Sequence, residues 1–379
     1  MIEKRVKIVF VAAFFVILVL PMLFVNTRKG KVSEAEKRKL AAFPVLWEKD
    51  GTVNEKYAAD FETWLNDNIG FRSQMVVANA YVQYYVFDQL ANNTDMYLGP
   101  NGELNYATAK MLADYQHFTL YSENEKAEIA DSFAYINDYV HKMGADFIYY
   151  QCWDKHSIYP EQFPKGVLQY GDVSRADELV EAIRSSGVKV IDSKQALIAG
   201  KNEYDTYTVW GDPTHWSERG AYIGYKLLME GINEKTGGSY RTLSEDDYEI
   251  SVIDQGEKVF GGIHREQPEE HFEIKDPKAV ATLDKLVLYG DDNRFRYFTN
   301  DKAGNDTRLL IIGDSYFKSY IVEDVAESFG ETILLYGGKK FDLKKMLDTY
   351  KPDIVVLESA ERNNYAPWVI DSVKKMRGE

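Results

Sequence analysis

The pattern of apolar and polar positions opens on an uncharged run, Ile8 to Val25, "IVFVAAFFVILVLPMLFV". It is about long enough to cross a bilayer as a helix. Lys4, Arg5 and Lys7 precede it and Arg28, Lys29 and Lys31 follow, so flanking charge does not orient it. No small-x-small cleavage site and no lipobox cysteine follows the run. The pattern predicts a single-pass anchor with the large domain outside. Next, "SEAEKRKLAAFPVLWEKDGTVNEKYAADFETWLNDNIGFRSQM" is charged and amphipathic, with Phe61, Trp64, Leu65 and Phe71 as its apolar points, which suits a helical stem. "DMYLGPNGELNY" reads as a hairpin around Gly99-Pro100-Asn101-Gly102. Residues 123–142 carry Ile129, Phe133, Ile136 and Val140 at helical spacing.

From there strand-like and helical stretches alternate. "ADFIYYQ", the helix "SRADELVEAIRSSG" and "VKVIDS" come first; "RLLIIGD", "ETILLYG" and "DIVVLES" follow, separated by helical spacers. Such alternation specifies a parallel sheet with helices on both faces, a three-layer α/β fold. Residues 237–305 break the rhythm and read as a polar, acidic, β-containing insertion. The expected organisation is an anchor over 1–30, a helical stem and hairpin over 31–105, and an α/β domain over 106–379 with the insertion around 237–305.

Composition narrows the chemistry. The 379 residues carry a formal net charge of -15, which argues against a nucleic-acid surface. Tyrosines (27) outnumber phenylalanines (19), and all six tryptophans lie beyond the first forty positions; such rings serve either as core or as faces that stack on sugars. A single cysteine, Cys152, excludes an intramolecular disulfide framework and a multi-cysteine metal cluster.

The apolar run Leu309–Ile312 stops at Gly313-Asp314-Ser315, and Phe317, Ile321, Val325 and Phe329 then recur four apart. A serine at a strand-to-helix junction lies beside free backbone N–H groups, where negative charge can develop. Alternatively, Asp314 or Ser315 only caps the helix. The candidate bases are His117, His141, His156, His215, His264 and His271. His117 and His141 lie in or beside helical stretches; His264 and His271, seven apart in the acidic insertion, match no compact metal pattern. His215 stands apart in "YTVWGDPTHWSERGAYIGYKLLMEGI": strand-like Tyr207–Trp210, a turn at Gly211-Asp212-Pro213, then a helix with Ala221, Tyr222, Tyr225 and Leu228 on one face. Asp212 and His215, three apart on one turn, supply a carboxylate for an imidazole, and Ser315 supplies a hydroxyl for its other nitrogen. Asp205 and Asp154 are the competing carboxylates.

Gly313-Asp314-Ser315 with Asp212-x-x-His215 resembles the SGNH hydrolase-like superfamily. The order of the motifs resembles its alginate O-acetylation branch, the AlgX/AlgJ type and their DHHW relatives. "SEAEKRKLAAFP", "FETWLNDNIGFRSQM", "DMYLGPNGELNY", "DKHSIYPEQFP" and "THWSERGAY" are similar to that branch's segments in the same order. The resemblance implies a membrane-tethered O-acetyltransferase of a secreted or cell-surface polysaccharide. It implies no cofactor or metal, and acetyl supplied by a membrane-bound, multi-spanning acyltransferase of the MBOAT class. Carried over by position, Ser315 is the nucleophile, His215 the base and Asp212 the orienting acid. Here Pro213 occupies the place, two before His215, where that branch usually has its Asp. Other superfamily members put an oxyanion glycine and asparagine after the next two strands, which points to Gly337 beside Tyr336, and to Arg362 or Asn363 beside Glu361. A glycan groove at the carboxyl edge of the sheet would be lined by Trp153, Tyr207, Trp210, Trp216 and Arg362. Two alternatives stay open: an acetylesterase with the same residues, and an inactive carbohydrate-binding assembly subunit.

Overall fold

Leu309 and Ile311 point to one side of a buried strand and Leu310 and Ile312 to the other; all four are fully buried in two separate apolar clusters. A strand apolar on both faces needs a layer of helices on each. In the computed structural model, which describes the chain apart from residues 1, 28–31, 34–37, 92–94, 257, 260–261, 287, 289–294 and 338–341, this strand lies inside a seven-stranded sheet. The spatial order is Val280–Ala281, Arg296–Thr299, Glu331–Tyr336, Arg308–Gly313, Ile354–Ala360, Asp146–Cys152 and Lys189–Asp192. The last five are parallel. Arg296–Thr299 runs antiparallel to Glu331–Tyr336 and carries the two-residue edge strand Val280–Ala281. The acidic stretch read as an insertion therefore does two things: Tyr248–Asp254 and Pro268–Ile274 form their own antiparallel pair, and its later part extends the central sheet.

One face is covered by Glu218–Thr236 and Val322–Ala326, the other by Glu123–Lys142, Leu343–Tyr350 and Ala366–Arg377. Ser122 and Glu125 form a capping box on Glu123–Lys142, whose buried residues include Ile129, Phe133, Ile136 and Val140. The chain divides into two compact units, Met1–Thr94 with Glu257–Arg265, and Asp95–Gly256 with Glu266–Glu379. The hairpin Met96–Leu98/Leu104–Tyr106 thus belongs to the second unit rather than to the stem. Within the first unit, Ile2–Leu23 is a helix whose Arg5–Leu23 portion is long and apolar enough to cross a membrane. The turn between helices Tyr57–Asn68 and Arg72–Phe87 abuts its end: Gly70 N–H donates to Pro21 O at 2.9 Å. A side chain at Gly70 would meet Pro21 O and the Phe24 Cβ at 2.7 and 2.6 Å.

Beyond Arg308–Gly313 the chain crosses to Glu331–Tyr336 on one side, and the following strand, Ile354–Ala360, lands on the other. This switch of direction leaves a crevice outside the carboxyl end of the central strand. The neighbouring strand ends are tied by a buried ionic network. Asp154 accepts the Arg362 N–H at 2.9 Å and also binds its guanidinium; Glu361 accepts the Asp154 N–H at 3.0 Å and the Ser157 hydroxyl at 2.8 Å. His156 Nε2 lies 3.6 Å from Glu361, an ion-pair contact rather than a hydrogen bond. Burial alone would lower the imidazole pKa, but Glu361 and Asp154 outweigh it and hold it above the ordinary value.

Removing one partner of such a pair strands the other charge. Arg362→Met should cost about 3–5 kcal/mol in urea unfolding, and the Asp154→Asn/Arg362→Met double variant much less; a double loss equal to the sum of the Arg362→Met and Asp154→Asn losses would show the pair to be uncoupled. Because the folded His156 pKa is raised, its contribution is fully present below about pH 6.5 and is lost as pH rises through the folded value. The melting temperature should therefore fall on the alkaline side, and His156→Gln should flatten that slope.

Candidate active site

Asp212 enters the site through a turn held by side chains that bond its backbone. Gln267, itself buried, accepts the N–H groups of Trp210 and of Gly211 through one side-chain oxygen, and the Thr208 hydroxyl donates to Asp212 O. A Cβ at Gly211 would lie 2.4 Å from Gln255 O, so only glycine admits this approach. Pro213 disfavours the helical region for Asp212, and the chain then turns so that the carboxylate faces the ring three residues on. Asp212 Oδ2 lies 2.6 Å from His215 Nδ1, while Oδ1 accepts the Thr214 N–H at 2.9 Å and its hydroxyl at 2.6 Å. Partial burial pushes the Asp212 carboxyl up, but the hydrogen bonds from His215 and Thr214 prevail and bring it to about 2. It stays ionised over the working pH range.

Helix Glu218–Thr236 follows at once, capped by Ser217, whose hydroxyl accepts the Gly220 N–H at 3.1 Å. Glycine at 220 and 224 lets the helix close on Thr206 O and on the Trp216 ring, where a Cβ would sit at 2.1 and 2.7 Å. The His215 ring is held between Tyr316 and Tyr320, with centroids at 5.1 and 5.6 Å.

Ser315 arrives from the other side of the crevice. Asp314 is buried and uses its carboxylate on both sides of the turn: Oδ1 accepts the Tyr316 N–H at 3.1 Å, and Oδ2 accepts the Ala360 N–H at 3.0 Å and the Asn363 amide at 2.6 Å. Its own N–H donates to Glu358 Oε2 at 2.6 Å. The fully buried Glu358 is driven well above the carboxylate range by burial and the nearby Asp314. Gly313 makes room for it: a Cβ there would stand 2.5 Å from Glu358 Oε2. The motif divides its labour, with Asp314 capping the turn and Ser315 free to face outward. Ser315 Oγ lies 2.6 Å from His215 Nε2.

With Nδ1–H directed at Asp212, Nε2 turns its lone pair toward the Ser315 hydroxyl. Asp212, His215 and Ser315 thus form one hydrogen-bonded line across 100 residues of sequence between imidazole and hydroxyl. Of the competitors, Asp154 is held by Arg362, and Asp205 has no contact with His215.

The other expected site residues fall differently. Gly337, at φ +68°, donates its N–H to Gly313 O at 2.8 Å, so it serves the turn and is not a free oxyanion donor. The Arg362 N–H and guanidinium both go to Asp154, and the Asn363 amide supports Asp314. The Ser315 N–H, at the start of the helical turn, has no acceptor among the described residues. Trp153, Tyr207, Trp210 and Trp216 line no groove: they are 0–1 % exposed. Trp153 donates to Asp192 at 2.7 Å, and Trp216 packs on Tyr316 with centroids 4.9 Å apart. Large rings gain most where water is excluded. Tyr207–Trp210 forms no strand; Tyr207 bridges only to Trp216, and Val209 O accepts the Leu104 N–H at 2.8 Å.

Asp154, His156 and Glu361 bring one potential ligand atom each within 4.8 Å of one another. Arg362 and the imidazole already balance the two carboxylates, so the cluster reads as an ionic network. Sequence reasoning named His156 without a role, because its partner Glu361 lies more than 200 positions away. It missed Glu358 and Tyr320 as well. Tyr320 sits five residues after Ser315, and the wide π-type turn Phe317–Ile321 lies between the serine and the helix Val322–Ala326.

Residues 113–265 match the family described as the SGNH hydrolase-like domain of the acetyltransferase AlgX. That stretch contains Asp212 and His215; Ser315 lies beyond it. No curated protein sequence matches the chain. Among solved structures, PatB1 of Bacillus cereus, seen with a sulfonyl adduct, superposes with a TM-score of 0.53 at 17% identity, covering 72% of this chain and 95% of that one. PatB1 without the adduct gives 0.52 at 16% identity over 71% and 97%. A DHHW family protein from Eubacterium siraeum gives 0.48 at 19% identity over 73% and 97%. Residues 113–265 are thus similar to the SGNH hydrolase-like domain of the acetyltransferase AlgX, and the chain's fold is similar to that of PatB1.

Proposed function

We propose that the protein is an O-acetyltransferase of a secreted or cell-surface polysaccharide, working through an acetyl-serine at Ser315. The observation that carries this reading is the hydrogen-bonded line from Asp212 through His215 to Ser315. Ser315 Oγ attacks the acetyl carbonyl while His215 Nε2 takes its proton. The oxyanion that forms faces the Ser315 N–H at the start of the helical turn. Collapse breaks the bond to the donor's leaving group, which leaves with the proton from His215. A sugar hydroxyl then gives its proton to Nε2 and attacks the acetyl carbon, and Ser315 recovers the proton as the ester is released. Asp212, ionised throughout, stabilises the imidazolium and holds Nδ1 as the protonated nitrogen.

The match to an acetyltransferase family supports transfer to a sugar hydroxyl over hydrolysis. The apolar helix over Arg5–Leu23 supports a membrane anchor, and a secreted or cell-surface acceptor requires the second unit to face outward. A multi-spanning acyltransferase of the MBOAT class is then the acetyl supplier, as the family resemblance implies.

Ser315→Ala and His215→Ala should each lower acetyl-ester turnover by about a thousandfold or more without changing the melting temperature appreciably. Asp212→Asn should lose most activity while Asp205→Asn keeps it. Mass spectrometry after exposure to an activated acetyl ester should find the acetyl group on Ser315. Near wild-type turnover in the Ser315 or His215 variant would refute the reading. For topology, protease added outside intact spheroplasts should degrade the second unit; protection would place it inside.

A further inference from the structure

The buried tryptophans leave open where a glycan would lie; a cavity of about 560 Å³ reaches the candidate triad through Tyr320, though Asp212, His215 and Ser315 do not themselves line it. Its volume falls in the range of ligand sites. Tyr320, whose ring contacts His215, lines it, as does Glu218, three residues after His215. The wall is aromatic: Tyr222 and Phe272 stack at 5.2 Å, and Tyr248 meets both edge-on at 5.7 and 5.4 Å.

The polar part of the lining is mostly carboxylate. Glu218 is paired with His271, and Glu327 accepts the N–H groups of Lys278 and Ala279. Asp324 has only the Tyr248 hydroxyl, at 2.9 Å, and among the described residues neither it nor Glu323 or Glu273 has an ion-pair partner. Burial, with Glu323 and Glu218 nearby, pushes the Asp324 carboxyl up to about 7, against the bond from Tyr248. Lys318 is the one lysine or arginine lining the cavity among the described residues.

We propose that this cavity is the acceptor site, and that it takes a glycan bearing free amino groups, a glucosamine-type chain, in preference to a uronate polymer. An ammonium group supplies the missing partner for Glu323 and Asp324 and finds the Tyr248 ring nearby, a setting that attracts cations; Phe272 and Tyr222 already face Arg219. The apolar face of a pyranose suits the rings. A uronate would set carboxylate against carboxylate, and such like-charge contacts exclude wrong partners. The assignment rests on the reading of the chain as a glycan acetyltransferase and adds the class of acceptor.

The test is titration calorimetry on the full-length Ser315→Ala chain in detergent. The four probes are tetramers of glucosamine, N-acetylglucosamine, mannuronate and lysine. The glucosamine tetramer should bind tightest, and Glu323→Gln and Asp324→Asn should each weaken it by about tenfold to a hundredfold, the size expected when a charged hydrogen-bond partner is lost. Glu323 is exposed, so its variant tests the site even if Asp324→Asn does not fold. Absence of glucosamine binding, equal binding of mannuronate or of tetralysine, or an unweakened Glu323→Gln overturns the proposal. Wild-type chain that binds glucosamine tetramer as expected but never acetylates a glycan leaves the cavity assignment standing and removes the transferase reading.

Discussion

The carboxylate of Asp314 is cut off from water, and the rest of the site depends on how that charge is met. An ion taken out of water costs several kcal/mol unless its lone pairs are satisfied. Three donors meet it: the Tyr316 N–H ahead, and the Ala360 N–H and Asn363 amide across the sheet. They belong to two different segments, so satisfying Asp314 locks the turn after the central strand to the end of its neighbour. Glu358 adds a second tie from the same neighbouring strand, to the Asp314 N–H. Ser315, next in line, inherits its position from a residue that takes no part in the proposed chemistry.

His215 is held by different means. Its turn is fixed by side chains that take up backbone groups, Gln267 for two N–H groups and Thr208 for a carbonyl, and by glycines that let the following helix close on Trp216 and Thr206. The tryptophans that crowd this region are packing, buried against the segment that carries the imidazole. The result is an imidazole whose two nitrogens face two different elements, one local and one 100 residues away.

Charge is distributed by the same logic in the second unit. Where carboxylates meet inside the fold, as at Asp154 and Glu361, a guanidinium and an imidazole balance them. Where they line the open cavity near the candidate triad, Glu273, Glu323 and Asp324 have no ion-pair partner among the described residues. The contrast separates groups paired within the fold from groups open to the proposed acceptor.

The sequence by itself determined the elements whose causes are local. The apolar runs in RLLIIGD and DIVVLES, the helical spacing over residues 123–142, the hairpin turn at Gly99–Gly102 and the Asp212-x-x-His215 spacing each act over a few residues, and each was legible, whereas the Ser122 capping box was not read. Strand order was not, because Arg296–Thr299 joins the sheet through pairing with a strand more than 30 residues away. Nor were the destinations of single polar groups: Gly337 was read as an open donor until the strand register brought Gly313 O within 2.8 Å of its N–H. Arg362 and Trp210 were read as groove residues because type alone does not distinguish a ring or a cation that binds ligand from one that fills the interior. Only the tertiary structure decided that, since burial and pairing are set by neighbours far along the chain, and a buried donor goes to whichever acceptor the packing leaves beside it.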